Sequence, residues 1–330
     1  MRRSFLSVNE LARSNIGDKD PRQSAGGFVQ IRAFAKINLI LEVLGKRSDG
    51  YHELKSVMQT LALHDTVVIS TAAQAEGNFQ LTSSDPGLPT DNRNLITRAA
   101  RYMMQEYGIT QPVSIQLEKR IPVAAGLAGG SSDCAATLLG FNILFGLDIP
   151  MHSTKQTSLM EIGRYFGADV PFCIMGNATL DCVTALAEGI GERLTPLAPH
   201  PHVWVVLACP DIPVSTADIF DRYNNLDLKL TKNKKNKTNT TNLSAVLQAL
   251  TQGDLQAIAS NFKNDLTQVT TKLHPEIQHV ISKMHSLGAL GVAMSGSGPS
   301  VFGYFSNKED AVMAQEKLQQ IVGRVFLTHI

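Results

Sequence analysis

An excess of charge of either sign is the first thing this sequence lacks. Its 30 Lys and Arg stand against 29 Asp and Glu, for a formal net charge of +1 over 330 residues. No global field draws such a chain to nucleic acid or to an anionic membrane, although a local basic site for a phosphorylated ligand is compatible with it. Aromatic residues are scarce at 6%, which also speaks against a base-stacking platform for nucleic acid. There are four cysteines, at 134, 173, 182 and 209. None forms a C-x-x-C pair or joins a Cys/His cluster at zinc-ligand spacing. Buried thiols in a reducing compartment are therefore expected, with no protein-held metal. No apolar run approaches the roughly 20 residues that cross a bilayer.

The first 28 residues, "MRRSFLSVNELARSNIGDKDPRQSAGGF", begin basic but hold no apolar core of the kind a secretory signal needs. Glu10, Asp18 and Asp20 argue against organelle targeting, so a disordered leader over 1–28 is expected. A chain of 330 residues suggests two cores. The composition shifts at "LTPLAPHPH", where prolines stand at 196, 199 and 201. Domains over 29–195 and 196–330 are expected, both mixing helices and strands.

From Ile31 to Val43 apolar residues alternate, which predicts a strand with Lys36 and Asn38 together on its other face. Asp49-Gly50 marks a turn, with further strands expected over Leu54–Leu63 and after His64-Asp65. "NLITRAARYMMQEYG" predicts a helix stopped at Gly108, and "SLMEIGRYFGADVPF" another stopped at Gly167, with Asp169 on a loop leading to the next strand. "LKLTKNKKNKTNTTN" has the composition of a solvated surface loop. Helical patterns fill Leu243 to Ser286, and the chain ends strand, "SGSGPS" loop, strand, helix, strand.

The stretch "PVAAGLAGGSSDCAA", Pro122 to Ala136, carries three glycines between an expected strand and an expected buried helix. Glycine lets backbone amides approach an anion closely, and a helix N-terminus adds oriented donors and the positive end of a dipole. Ser131 or Ser132 is the expected cap, with Asp133 favourably placed in the first turn. A flexible loop is the plainer alternative. Two familiar phosphate loops are excluded: no lysine supplies the Walker ending, and the spacing is not that of the dinucleotide fingerprint.

"PVAAGLAGGSSDCAA" resembles the P-x-x-x-G-L-x-x-S-S signature of the GHMP kinases, the superfamily of galactokinase, homoserine kinase, mevalonate kinase and phosphomevalonate kinase. Together with "AKINLILEVLGKRSDGYHEL", "GADVPF" and "SGSGPSVF" it resembles, more narrowly, the 4-diphosphocytidyl-2-C-methyl-D-erythritol kinase family, from about Ala35 to the end of the chain. The resemblance implies an α+β, two-domain fold. Its N-terminal domain would resemble the ribosomal-protein-type nucleotide-binding fold and its C-terminal domain would be ferredoxin-like, with the active site in the cleft between them. It also implies ATP-dependent phosphorylation of a 2-hydroxyl in the non-mevalonate route to isoprenoid precursors, with Mg2+ carried by the nucleotide.

Residue roles follow from the same resemblance. Pro122, Val123, Ala124, Ala125, Gly126, Leu127, Ala128, Gly129, Gly130, Ser131 and Ser132 would cradle ATP. Asp169 would act as general base and Lys36 as its cationic partner, although an aspartate there also suits a turn and a strand lysine also suits solvent. Asn38 would touch substrate near the reacting hydroxyl, while Tyr51 and His52 would recognise the cytosine by packing and by hydrogen bonds. Thr216 and Phe220 belong to the matching "VSTADIF", where Ala217 replaces a proline common in relatives; Phe220 fits a core position nearly as well. Gly296 and Gly298 would support the phosphate loop by conformation. Ala124, Ala125 and Ala128 replace glycines common in relatives, and ordinary φ is expected at all three.

A kinase of another small alcohol, of homoserine or mevalonate type, is the alternative that "DGYH" argues against. A catalytically silent binding module is the other, against which Lys36 and Asp169 speak. The partners implied are a cytidine-diphosphate substrate, no nucleic acid and no membrane, in a cytoplasmic monomer or weak dimer.

Overall fold

In the computed structural model the described residues are 27–71, 78–179, 181–231 and 241–330. The expected leader lies almost wholly outside them, as does the middle of the Lys/Asn-rich segment. The chain divides into two compact units, each discontinuous in sequence. The first takes residues through Ala35, then Leu63–Val123 and Ala128–Asp181; the second takes Lys36–Ala62, Ala124–Leu127 and Cys182–Ile330. The proline-rich stretch after Thr195 falls inside the second unit.

Two long strands run through both units, β1 (Phe28–Lys46) and β2 (His52–Ser70). β2 is continuous, where two strands broken at His64-Asp65 were expected. Asp65 stays inside the strand because its buried carboxylate accepts the amides of Arg120 and Ile121 and meets the ammonium of Lys119.

In the first unit β3 (Phe79–Ser83) pairs parallel with β4 (Val113–Glu118), which pairs antiparallel with Thr66–Ser70 of β2. Among its described residues are four helices: α1 (Leu95–Glu106), α2 (Gly129–Leu144), α3 (Leu159–Phe166) and α4 (Val170–Asn177). The Asn94 side chain caps α1, and Gly108 closes it at φ +61°. α2 is buried nearly all round, as its apolar sequence predicts, and Gly140 sits so close to Ile69 that a Cβ would lie 2.5 Å from its Cδ1. The core gathers Ile31, Val67, Ile69, Ile115, Phe141 and Ile174.

In the second unit β5 (Thr184–Gly189) pairs antiparallel with Leu54–Gln59 of β2 and with β6 (Arg193–Pro196). β8 (Lys263–Asn264), which no periodicity signals, pairs parallel with Ile40-Leu41 of β1. A four-stranded antiparallel sheet has β7 (Trp204–Ala208) between β11 (Val325–His329) and β10 (Val301–Phe305), with β9 (Gly291–Met294) beyond β10. Helices α5 (Thr216–Thr231), α6 (Thr241–Gln252), α7 (Leu255–Ser260), α8 (Thr267–Leu273) and α9 (Pro275–Ser286) lie between β7 and β9 in the chain. α10 (Lys308–Gln319) joins β10 to β11. The strands follow the β-α-β-β-α-β order of a ferredoxin-like sheet. Both ends of the Lys/Asn-rich segment are helical rather than loop, at Thr231 and at Thr241-Asn242.

Candidate active site

The glycine stretch departs from expectation in its backbone. Ala124 and Ala128 have φ of +54° and +56°, in the left-handed region where ordinary values were expected. α2 begins at Gly129, its N-cap is Ala128, and no side chain caps it. Ser131 and Ser132 sit inside the first turn instead. Ser132 is buried and its hydroxyl bonds to Asn177 Oδ1 at 3.2 Å, while Asn177 Nδ2 donates to the Ser132 carbonyl at 3.0 Å. The uncapped turn keeps its first amides and its positive dipole end for something other than its own side chains.

Lys119, at the end of β4, braces that turn within the first unit. Its ammonium bonds to Asp65 and, at 3.0 Å, to Asp133 Oδ2, and all three groups are buried. Burial and the nearby Asp65 carboxylate push the Asp133 carboxyl well above the usual range, against the pull of Lys119. Its other oxygen, Oδ1, has no hydrogen-bond partner. Asp169 is the N-cap of α4, so the segment after Gly167 leads into a helix and not the strand expected. The Ser131 hydroxyl lies 4.0 Å from where a Cβ would stand on Gly167, bringing it beside the "GAD" segment.

In the second unit Lys36 and Asn38 share one face of β1, as their spacing predicts, and both are buried. Lys36 Nζ donates to Asn38 Oδ1 at 2.8 Å. The same oxygen accepts the Gly296 amide at 3.0 Å, and Asn38 Nδ2 donates to Ser56 Oγ at 2.8 Å. The Lys36 amide donates to the Leu127 carbonyl, and Ser295 Oγ to that of Gly126. Gly126 and the "SGSGPS" turn approach so closely that a Cβ on Gly126 would lie 2.5 Å from the Ser295 carbonyl oxygen. Asn264 on β8 ties the turn further, donating to the carbonyls of Met294 and Gly296.

The hairpin after β1 presents Tyr51 and His52 in opposite ways. Tyr51 is 61% exposed, while His52 is 7% exposed and stacked on Phe220 with ring centroids 4.8 Å apart. Its Nε2 meets Asn224 Oδ1 at 2.8 Å. Thr216, Phe220 and Asn224 recur every four residues along α5, and the Thr216 hydroxyl bonds to Ser297 Oγ at 2.9 Å. Reading the sequence found Thr216 and Phe220 but missed Asn224, whose place on the same face shows only once α5 is known to run through all three. Asp65 read locally only as a break, and Asn177 and Asn264 carried no local signal, because the partners of all three lie far off in the chain.

Among the described residues no cluster of three His, Cys, Asp or Glu side chains could hold a metal ion, and no helix is long and apolar enough to cross a membrane.

The GHMP kinases N terminal domain matches residues 94–177, and the GHMP kinases C terminal domain matches 246–324. A 4-diphosphocytidyl-2-C-methyl-D-erythritol kinase of Caldicellulosiruptor bescii is 42% identical over 300 residues, 91% of this chain and 97% of its own. That of Clostridioides difficile is 40% identical over 303 residues, covering 92% and 95%. A crystal structure of 4-(cytidine 5'-diphospho)-2C-methyl-D-erythritol kinase superposes with a TM-score of 0.72 at 32% identity, over 91% of this chain and 98% of that one. Homoserine kinase from Cytophaga hutchinsonii, at 17% identity and a TM-score of 0.65 over 95% and 97%, shares the fold. With such identity held over nearly the whole length of its relatives, this chain belongs to the 4-diphosphocytidyl-2-C-methyl-D-erythritol kinase family of the GHMP kinases.

Proposed function

We propose that this enzyme, a small-molecule kinase, transfers the γ-phosphoryl group of ATP to the 2-hydroxyl of 4-diphosphocytidyl-2-C-methyl-D-erythritol, giving the 2-phosphate and ADP. The observation that carries the substrate is the "DGYH" hairpin, with an exposed Tyr51 beside a fixed, buried His52. A homoserine or mevalonate kinase has no base to recognise there.

The nucleotide fits the glycine stretch. The first turn of α2 has no side-chain cap, Gly130 leaves open space where a Cβ would stand, and the dipole end favours phosphate. Pro122 to Ser132 is the proposed cradle. Gly296 and Gly298, at φ of +59° and +90°, shape the turn packed on Gly126. Magnesium, arriving with the nucleotide, would neutralise phosphate charge.

Phosphoryl transfer asks a protein mainly for positioning and charge stabilisation. Lys36 is the proposed cation for the moving phosphoryl group, its ammonium aimed by Asn38 Oδ1. Asp169 is the proposed base that takes the hydroxyl proton. Asn38 would orient substrate, and Tyr51, His52, Thr216 and Phe220 would form the cytidine end of the site. A cytoplasmic monomer or weak dimer completes the proposal.

Coupled ADP release tests it, with Mg-ATP and, separately, 4-diphosphocytidyl-methylerythritol, homoserine and mevalonate. Turnover with the cytidine compound alone is the expected result. Turnover with either other alcohol in its place would refute the substrate.

A further inference from the structure

His52 is held from two sides by one helix. Phe220 covers a face of its ring at an interplanar angle of 24°, and Asn224, one turn further along α5, meets its Nε2 edge at 2.8 Å. The atom presented is the side-chain carbonyl oxygen, which only accepts hydrogen bonds. The proton of a neutral imidazole must then sit on Nε2 for the contact to be a hydrogen bond. Nδ1 is left with a lone pair, because the partner of one ring nitrogen fixes the state of the other.

We propose that Asn224 is a specificity-determining positioning residue, which makes His52 an Nδ1 acceptor and thereby selects a cytosine over a uracil. Cytosine carries an exocyclic amino group, a donor, where uracil carries a carbonyl oxygen, an acceptor. An Nδ1 lone pair takes the first and repels the second. Turning the other nitrogen to the base would break the Nε2 bond to Asn224, which holds the ring in this orientation. Tyr51, packing on a flat ring face, has no means of telling the two bases apart, so discrimination falls to the imidazole and to the residue that sets its tautomer. The proposal rests on the base-recognition role given above to His52.

Two measurements on the whole enzyme test it. Long-range ¹H–¹⁵N spectra of the wild-type protein read the His52 tautomer directly, and the Nε2–H form is expected. kcat/KM is then compared for the cytidine substrate and its uridine counterpart in wild type and in Asn224→Asp. A carboxylate at 224 keeps the contact and the side-chain size but favours a doubly protonated ring, which turns Nδ1 into a donor. The cytidine-over-uridine ratio is expected to fall about tenfold or more, the worth of one hydrogen bond made or opposed. The same spectra verify that the variant is folded, and Asn224→Leu, which cannot accept the proton, is expected to narrow the ratio too. An Nδ1–H tautomer in the wild type, or an unchanged ratio in both variants, overturns the role of Asn224 while leaving the kinase assignment standing. Wild-type enzyme inert toward both compounds overturns the assignment itself, and this inference with it.

Discussion

The backbone amide of Gly296 donates to Asn38 Oδ1 across 3.0 Å, joining residues 258 positions apart. The same oxygen holds the Lys36 ammonium, so one side chain supports both the "SGSGPS" turn and the proposed phosphoryl-binding cation. Asn38→Leu is expected to destabilise the fold by about 1–3 kcal/mol, since it strands buried donors. Asn38→Asp, which retains the acceptor, is expected to lose less. Denaturant titration alongside turnover checks both.

Asp169→Asn is expected to lower kcat by roughly 10²–10⁴. The side chain makes no capping bond to α4, so the helix cap itself loses nothing. Turnover within a few-fold of wild type would rule Asp169 out as the base.

Ala128→Gly and Gly126→Ala are expected to act in opposite directions. The left-handed backbone at Ala128 costs an alanine about 1–2 kcal/mol, and glycine loses about 0.5–1 kcal/mol more chain entropy on folding. The glycine variant should therefore be unchanged or up to about 1.5 kcal/mol more stable. At Gly126 the φ is +75° and the new methyl meets two backbone oxygens within 3 Å, so the turn must shift. Comparing the two variants by denaturation and by KM for ATP separates strain from binding.

Lys119→Met is expected to destabilise by about 3–5 kcal/mol, because it leaves two carboxyl groups buried without their cation. Asp133→Asn keeps an acceptor for Lys119 and is expected to be neutral or stabilising. The Asp133 carboxyl is raised above its unfolded value, so the folded state holds its proton more tightly and folding weakens as pH climbs above about 4. The advantage of the asparagine should grow with pH, which melting curves from pH 5 to 8.5 will read.

His200 supplies the acid side of the stability profile. Burial lowers its pKa to about 4, beside the Tyr304 hydroxyl and the Pro201 carbonyl. A base that titrates lower in the folded state leaves the unfolded chain with more protons between pH 6.5 and 4. Its contribution to stability is present above pH 6.5 and lost as pH falls through that window. The loss is about 1–3 kcal/mol, the lower end reflecting the solvent that reaches the ring. His200→Gln should flatten the profile there.

Much of the candidate site's layout was readable because its signals are local. Alternation placed Lys36 and Asn38 on one face of β1, and the loop motifs named Gly126, Gly296 and His52 without any knowledge of what they touch. The misreadings share a cause, which is a tertiary partner overriding a local rule. His64-Asp65 reads as a break, but the amides of Arg120 and Ile121 satisfy the Asp65 carboxylate inside a continuous strand. Two serines read as a cap, but Asn177 takes Ser132 into the core. Alanine reads as ordinary backbone, yet the tight turn into α2 places Ala128 in left-handed territory. Asn224 was hidden for another reason. Which residues of α5 share the face of Phe220 is plain only once the helix is known to run through them.

The discontinuity of the two units has a consequence for how the chain is made. Leu54 pairs with Gly189 and Ile40 with Lys263, so the second unit needs strands from both ends of the sequence. At about 5–20 residues per second, a ribosome spends roughly 10–45 s between delivering Ile40 and delivering Lys263. Throughout that interval Ile40-Leu41 waits for β8, while Leu54–Gln59 waits only until β5 is made, and until then their backbone donors and acceptors stay open to other chains. This enzyme's hazard during synthesis therefore lies early in the nascent chain, and pairing that late in translation makes folding slow.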